Sequence, residues 1–173
     1  MKTHKELVEI GYRWIQRSKQ RNTLGCYVGC SVAFKELVTH AQEQPDVIGF
    51  NSYNSILIEC KATRSDFLSD KNKPFREHPE TGMGEYRFYL TNKDLVKPEE
   101  VPEKWGLLES CGRSVRIIKD PTKYDDFAYR SERQYMRSII RRICCLDMID
   151  VINDARFKQS VYEWDTDLLN QQA

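Results

Sequence analysis

The chain has 173 residues, 31% charged and 40% hydrophobic, with a net charge of +1, a mix that suits one soluble globular domain over 1–173. So even a charge balance makes no case for nucleic acid, and any basic surface must be local. No run approaches the ~18 apolar residues of a membrane helix and MKTHKELVEIGYRWIQ lacks a signal-peptide core, so a cytoplasmic protein with reduced thiols and no membrane contact is expected.

Residues 3 to 19 read as a helix, with Leu7, Ile10, Trp14 and Ile15 at helical spacing and Thr3 as N-cap. Gly25 and Gly29 break the pattern before an extended run, CSVAFKEL. DVIGF after Pro45 and SILIECKA after the turn-rich NSYN read as a β-hairpin. A helix is expected from about Ser65, opened by Ser-Asp and limited by Pro74. REHPETGMGE is loop-like, and YRFYLTN is an aromatic core strand. After a Pro- and Glu-rich connection over 93–106, GLLES and SVRIIK form a closing strand pair. The last element is a helix over about 131–153, capped by Ser131, with Glu132 favouring its first-turn dipole. Its stripe of Met136, Ile139, Ile140, Ile143, Leu146 and Ile149 or Val151 is expected in the core, and the tail after Phe157 is expected to fray.

The six cysteines include no CxxC pair, and His4, His40 and His78 lack zinc-ligand spacing. A metal or iron–sulfur cluster built from Cys26, Cys30 and the Cys144–Cys145 pair stands as the alternative to buried, hydrophobe-like thiols.

The chemistry concentrates in Pro45-Asp46 and Glu59-Cys60-Lys61. Strand alternation puts Leu57, Glu59 and Lys61 on one face and Ile56, Ile58 and Cys60 on the other. A hairpin brings Asp46 beside Glu59. Two carboxylates on adjacent strands, with the Cys60 carbonyl, supply hard oxygen ligands for Mg²⁺ or Mn²⁺. Lys61 can orient water or neutralise a phosphate in the transition state. The bland alternative is a surface Glu–Lys pair of little energetic value.

PDVIGF, SILIECKATRSDFLSDKNKPFR, EYRFYL and PEKWGLL, in this order, resemble the MmcB-like branch of the PD-(D/E)xK nuclease superfamily over about residues 30–118. The resemblance implies an α/β fold with a restriction-endonuclease-like central mixed sheet flanked by helices. It also implies Mg²⁺-dependent hydrolysis of DNA phosphodiesters in repair or in processing of foreign or mobile DNA. By it, Glu36 is the upstream acidic residue, a metal ligand or its support. Departures are Cys60 within the triplet, the HPETGMGE insertion, and Glu43-Gln44-Pro45 where the family has basic residues, which removes a phosphate contact.

Around this set, Asp66 is a helix cap and Asp70 a solvated helix residue. Arg64, Lys71 and Lys73 are candidate nucleic-acid contacts. Arg87 is a phosphate clamp if it faces the site and an edge charge otherwise. Arg130, Arg133, Arg137 and Arg141 form a basic stripe able to follow a nucleic-acid backbone. Rival readings are a nuclease acting on RNA, a non-catalytic nucleic-acid-binding module, and a structural protein whose ExK is incidental, which predicts Asp46 remote from Glu59. Oligomeric state is left open, a homodimer included.

Overall fold

A computed structural model describes residues 1–17, 20–21 and 27–149. Cys26, Val151, the expected helical turn to Asn153 and the tail after Phe157 lie outside the described residues. The chain divides into two compact units, Met1–Arg133 and Gln134–Ala173.

In the first unit, α1 (His4–Arg17) opens with a capping box. The Glu6 N–H donates to Thr3 Oγ1 at 3.3 Å and the Thr3 N–H to Glu6 Oε2 at 2.8 Å, so two of the helix's orphan donors are satisfied. A two-residue ladder, β1 (Gln20–Arg21) with β2 (Tyr27–Val28), follows where the sequence suggested only a break.

The sheet is six-stranded and mixed, in the order β3 (Val32–Lys35), β4 (Val47–Phe50), β5 (Ser55–Lys61), β6 (Tyr86–Asn92), β7 (Gly106–Cys111), β8 (Ser114–Lys119). β3–β4, β4–β5 and β7–β8 are antiparallel, and β5–β6 and β6–β7 are parallel. The expected β4–β5 hairpin and closing β7–β8 pair are both present, and the fold is α/β, a mixed sheet with flanking helices. Chain order is kept across the sheet; the parallel steps are bridged by 62–85, with α2 (Arg64–Asp70) and α3 (Pro74–Glu77), and by the 93–105 connection.

Side-chain alternation gives the sheet two different faces. Ile56, Ile58 and Cys60, with Phe88, Leu90 and Leu108 of the neighbouring strands, pack against Leu7, Val8 and Ile15 of α1 in the hydrophobic core. The other face carries Leu57, Glu59 and Lys61, beside Arg87, Tyr89 and Thr91 in register. Every residue of β5 is buried, so Glu59 and Lys61 are enclosed too. Phe67 of α2 meets the Tyr89 ring edge-on at 5.2 Å, and Trp105 stacks on it at 4.4 Å. These aromatics close the apolar part of the face; its polar part is the candidate site.

The elements over that face correct the sequence reading in detail. α2 is capped by Thr63, whose hydroxyl accepts the Asp66 N–H, and Asp66 is a first-turn residue and not the cap. Pro74, expected to end a helix, starts α3 at a position where its missing N–H costs nothing. Gly84, at φ 85°, turns the chain into β6; a Cβ there would stand 2.7 Å from Leu57 Cβ.

The last helix, α4, spans Tyr129–Cys145, so Ser131 lies inside it and is not its cap. Glu132 does more than favour the dipole: its carboxylate accepts from Ser55 Oγ at 2.7 Å and the Gly84 N–H at 2.8 Å, and burial pushes its pKa up. The apolar stripe expected in the core is not buried. Ile140 is 54% and Leu146 69% exposed, Ile149 is exposed, and Met136, Ile139 and Ile143 are half-buried. A helical period records that one face is apolar, not that anything covers it.

Candidate active site

Asp46 stands one residue before β4. The antiparallel register pairs Val47 with Ile58, which sets Asp46 opposite Glu59. Its Oδ2 accepts the Cys60 N–H at 2.7 Å. An incidental ExK predicts the two acids far apart; here they are cross-strand neighbours. The same bond shows that the backbone of Cys60 faces the β4 side. Its carbonyl therefore points there as well, opposite Pro45, which has no N–H to donate. Two carboxylates and one carbonyl thus share the end of the hairpin, a donor set that suits a small hard cation completed by water.

The Asp46 carboxyl is pushed up to about 6, by burial first and the charge of Glu59 second, against the Cys60 N–H, His4 and Lys61. An acid whose folded pKa is raised holds its proton more tightly when folded, so stability falls as pH rises through the interval. A rise from near 4 to about 6 is worth about 3 kcal/mol. In EDTA, urea denaturation should show that loss between about pH 4 and 7, and Asp46→Asn should remove it. An identical pH profile in the variant would refute this assignment.

Glu59 is 2% and Lys61 4% exposed. Lys61 Nζ lies 3.2 Å from Glu59 Oε2 and 2.8 Å from Asp70 Oδ1. Burial works to lower the Lys61 ammonium, but Glu59 and Asp70 overcome it and hold it above the ordinary lysine value. It is a charged, fixed cation.

Three residues of this network escape the sequence reading. Asp70, read as a solvated helix residue, is 1% exposed and central. Besides Lys61, it takes Lys73 Nζ at 2.8 Å, Arg76 Nε at 2.7 Å and the Tyr89 hydroxyl at 2.6 Å. Burial works against its charge, yet Arg76, Lys61, Lys73 and Tyr89 hold it well below the usual carboxylate range. The signal was present: Asp70 is three residues after Phe67, on the same helical face, and Phe67 is buried. Arg76 also reaches Glu59 Oε2 at 3.6 Å and Glu43 Oε1 at 3.3 Å. Glu43, read only as a lost basic residue, is buried and accepts the Met83 N–H, bracing the insertion against the sheet. No helical or strand period in the sequence marks Arg76 or Glu43: Glu43 finds its partners 33 and 40 residues away, and Arg76 draws its own from Glu43, Glu59, Asp70 and Tyr89.

The remaining candidates are distributed unevenly. Glu36 is tied to Asp46 through its backbone, its N–H donating to the Asp46 carbonyl at 2.9 Å, with a left-handed φ of 47°. Its carboxylate faces His4 at 3.8 Å, and His4 in turn lies 3.4 Å from Asp46 Oδ1. His4 is thus a site-edge residue the sequence reading missed. Lys73 joins the network, 3.1 Å from Glu59 Oε2. Arg64 does not: Glu100 engages its guanidinium, with Nη1 to Oε2 at 2.8 Å. Lys71 is exposed and lies over the Phe67 ring. Arg87 is not an edge charge. It is fully buried on the site face, donates to the carbonyls of Gly84 and Gly82 at 2.9 and 2.7 Å, and stacks 4.1 Å over Tyr124. Arg137 is exposed on α4.

Cys60 is buried, with its thiol pushed well above the ordinary value by burial and then by Asp46 and Glu59. Among the described residues, no group of three or more His, Cys, Asp or Glu side chains is gathered to hold a metal; Cys26 of the alternative cysteine cluster lies outside them. No helix among them is long and apolar enough to cross a membrane.

No protein-family model matches the chain, and no curated protein matches it. Among solved structures, a protein of unknown function from Silicibacter pomeroyi is similar over 69% of this chain and 81% of its own, with 21% identity and a TM-score of 0.49. That likeness is too weak to carry an argument.

Proposed function

We propose that the chain is a metal-dependent nuclease of the PD-(D/E)xK type, with a restriction-endonuclease-like arrangement and DNA as its substrate. The observation that carries this reading is the cross-strand pairing of Asp46 with Glu59, with Lys61 next on the same face. Asp46, Glu59 and the Cys60 carbonyl are the groups that would hold Mg²⁺ or Mn²⁺. When bound, the cation supplies Lewis-acid activation of water and neutralises charge on the attacked phosphate.

The chain's own residues do the rest. Lys61, locked by Glu59 and Asp70, presents a fixed positive charge to the phosphoryl oxygens without having to reorganise during the reaction. Glu36 lies beside His4, and His4 with the Cys60 N–H brackets the two oxygens of the Asp46 carboxylate. The preference for nucleic acid draws on α4. Arg130, Arg133, Arg137 and Arg141 are exposed, about one turn apart, and no ion pair engages them among the described residues. Such a stripe makes binding to a phosphate backbone steeply salt-dependent.

One observation favours a second reading, a non-catalytic nucleic-acid-binding module: the Glu59 carboxylate is enclosed and already surrounded by cations. Incubation of the purified chain with plasmid, single-stranded and flapped DNA, and with RNA, separates the two. The nuclease reading expects DNA cleavage with Mg²⁺ or Mn²⁺ that stops in EDTA. Salt-sensitive binding without cleavage would select the module, and cleavage of RNA alone would reassign the substrate. Cleavage that persists in EDTA would sink the metal mechanism.

A further inference from the structure

Glu59 Oε2 is approached by three cations: Lys73 at 3.1 Å, Lys61 at 3.2 Å and Arg76 at 3.6 Å. Two of them cannot leave. The Lys61 side chain is 5% and the Arg76 side chain 3% exposed. Arg76 is further pinned by Asp70, Glu43 and the Tyr89 hydroxyl. Lys73 differs. Its side chain is 44% exposed, and it precedes α3 as that helix's N-cap without using its side chain as a cap. A compact ammonium on a flexible four-carbon stem can swing into water with no change in backbone.

Charge balance makes this difference matter. Around the Glu59 and Asp70 carboxylates stand three cations, Lys61, Lys73 and Arg76. A divalent cation between Asp46 and Glu59 would add two positive charges beside an oxygen that already faces three cations. It would also stand close to the Lys73 ammonium, and like charges at that separation repel. Departure of Lys73 relieves both. Asp70 would not be orphaned by it, since Lys61 and Arg76 remain on its two oxygens at 2.8 and 2.7 Å.

We propose that Lys73 is a positioning residue that occupies the divalent cation's electrostatic place beside Glu59 and is displaced when the metal binds. Resting on the metal-site reading above, this makes the enclosed Glu59 a resting state of the site. The displaced ammonium, already half in water, becomes a contact for a phosphate oxygen of the substrate in the metal-loaded protein. Lys73 then holds two partners in turn, a carboxylate before metal binding and a phosphate after it.

The test is Mn²⁺ binding to the full chain, measured by calorimetry and by the electron paramagnetic resonance of free Mn²⁺. The wild type is compared with Lys73→Met, Lys73→Gln, Lys73→Arg and Glu59→Gln, with thermal melts confirming that each is folded. Lys73→Met and Lys73→Gln are expected to tighten Mn²⁺ binding about tenfold. Lys73→Arg, which keeps the charge, should stay close to wild type, and Glu59→Gln should abolish binding. Unchanged or weaker binding in both neutral variants, with Glu59-dependent binding in the wild type, overturns the role of Lys73 and leaves the metal site standing. Binding in the neutral variants alone supports the displacement. Absence of Glu59-dependent binding in every variant overturns both.

Discussion

Alanine in place of Asp70 is expected to destabilise the fold by about 3–5 kcal/mol, the cost of removing one member of a buried ionic network. Three cations converge on this carboxylate, two of them buried, and the Tyr89 hydroxyl donates to it. Without it, Lys61 keeps only Glu59, and Arg76 keeps Glu59 at 3.6 Å and Glu43 at 3.3 Å. Asp70→Asn retains the shape and one acceptor and should fall between wild type and alanine. The pH dependence has a definite sign. A carboxyl whose folded pKa is depressed contributes fully above its unfolded value near 4 and loses that contribution as pH falls further. Wild type should therefore lose stability below about pH 4 more steeply than Asp70→Asn. Urea denaturation at pH 7 and pH 3 measures both effects, and a cost below about 1 kcal/mol for alanine would refute the central role of Asp70.

Lys61→Ala is expected to lower the cleavage rate constant about 10²–10³-fold, the usual loss when one fixed electrostatic group is taken from a transition state. It should also destabilise the protein, because Glu59 and Asp70 each lose a cation. Catalytic and structural effects separate by their kinetics. Loss of a transition-state contact lowers kcat with little change in KM or in Mn²⁺ affinity, whereas a collapsed site changes all three. Single-turnover cleavage beside Mn²⁺ titration of the same folded sample makes the distinction. Equal rates for wild type and Lys61→Ala would remove Lys61 from the mechanism. Lys73→Ala offers an internal comparison, since both residues touch the same oxygen of Glu59 but only Lys61 is immobile.

The two substitutions probe different parts of one arrangement. Asp70 and Arg76 fix the arrangement, and Lys61 is the group to which the proposed mechanism gives the substrate contact. The rigid part ties Glu59 and Lys61 at the end of strand β5 to Asp70 of α2 and Arg76 of α3. The exchangeable part, Lys73, comes from the segment between α2 and α3. A site built this way keeps its acids in register while one of its charges remains free to move.

Sequence periodicity by itself determined the scaffold of the site. The two-residue repeat of SILIECK fixes Glu59 and Lys61 on one face. Pro45 and the NSYN turn mark the hairpin that brings Asp46 opposite Glu59, and the register has it so. These are local rules, readable from a few consecutive residues. Only the tertiary structure decided which charges surround the site. Asp70 turned inward because Phe67 buries its helical face, Arg87 gave its Nε and Nη2 to the loop carbonyls of Gly84 and Gly82, and Glu100 claimed Arg64. His4 arrived from the first helix, 42 positions before Asp46. Contacts between side chains distant in sequence leave no period to read. Their partners are chosen by how the chain packs over the sheet, and that is where the burial and charge balance of this site are set.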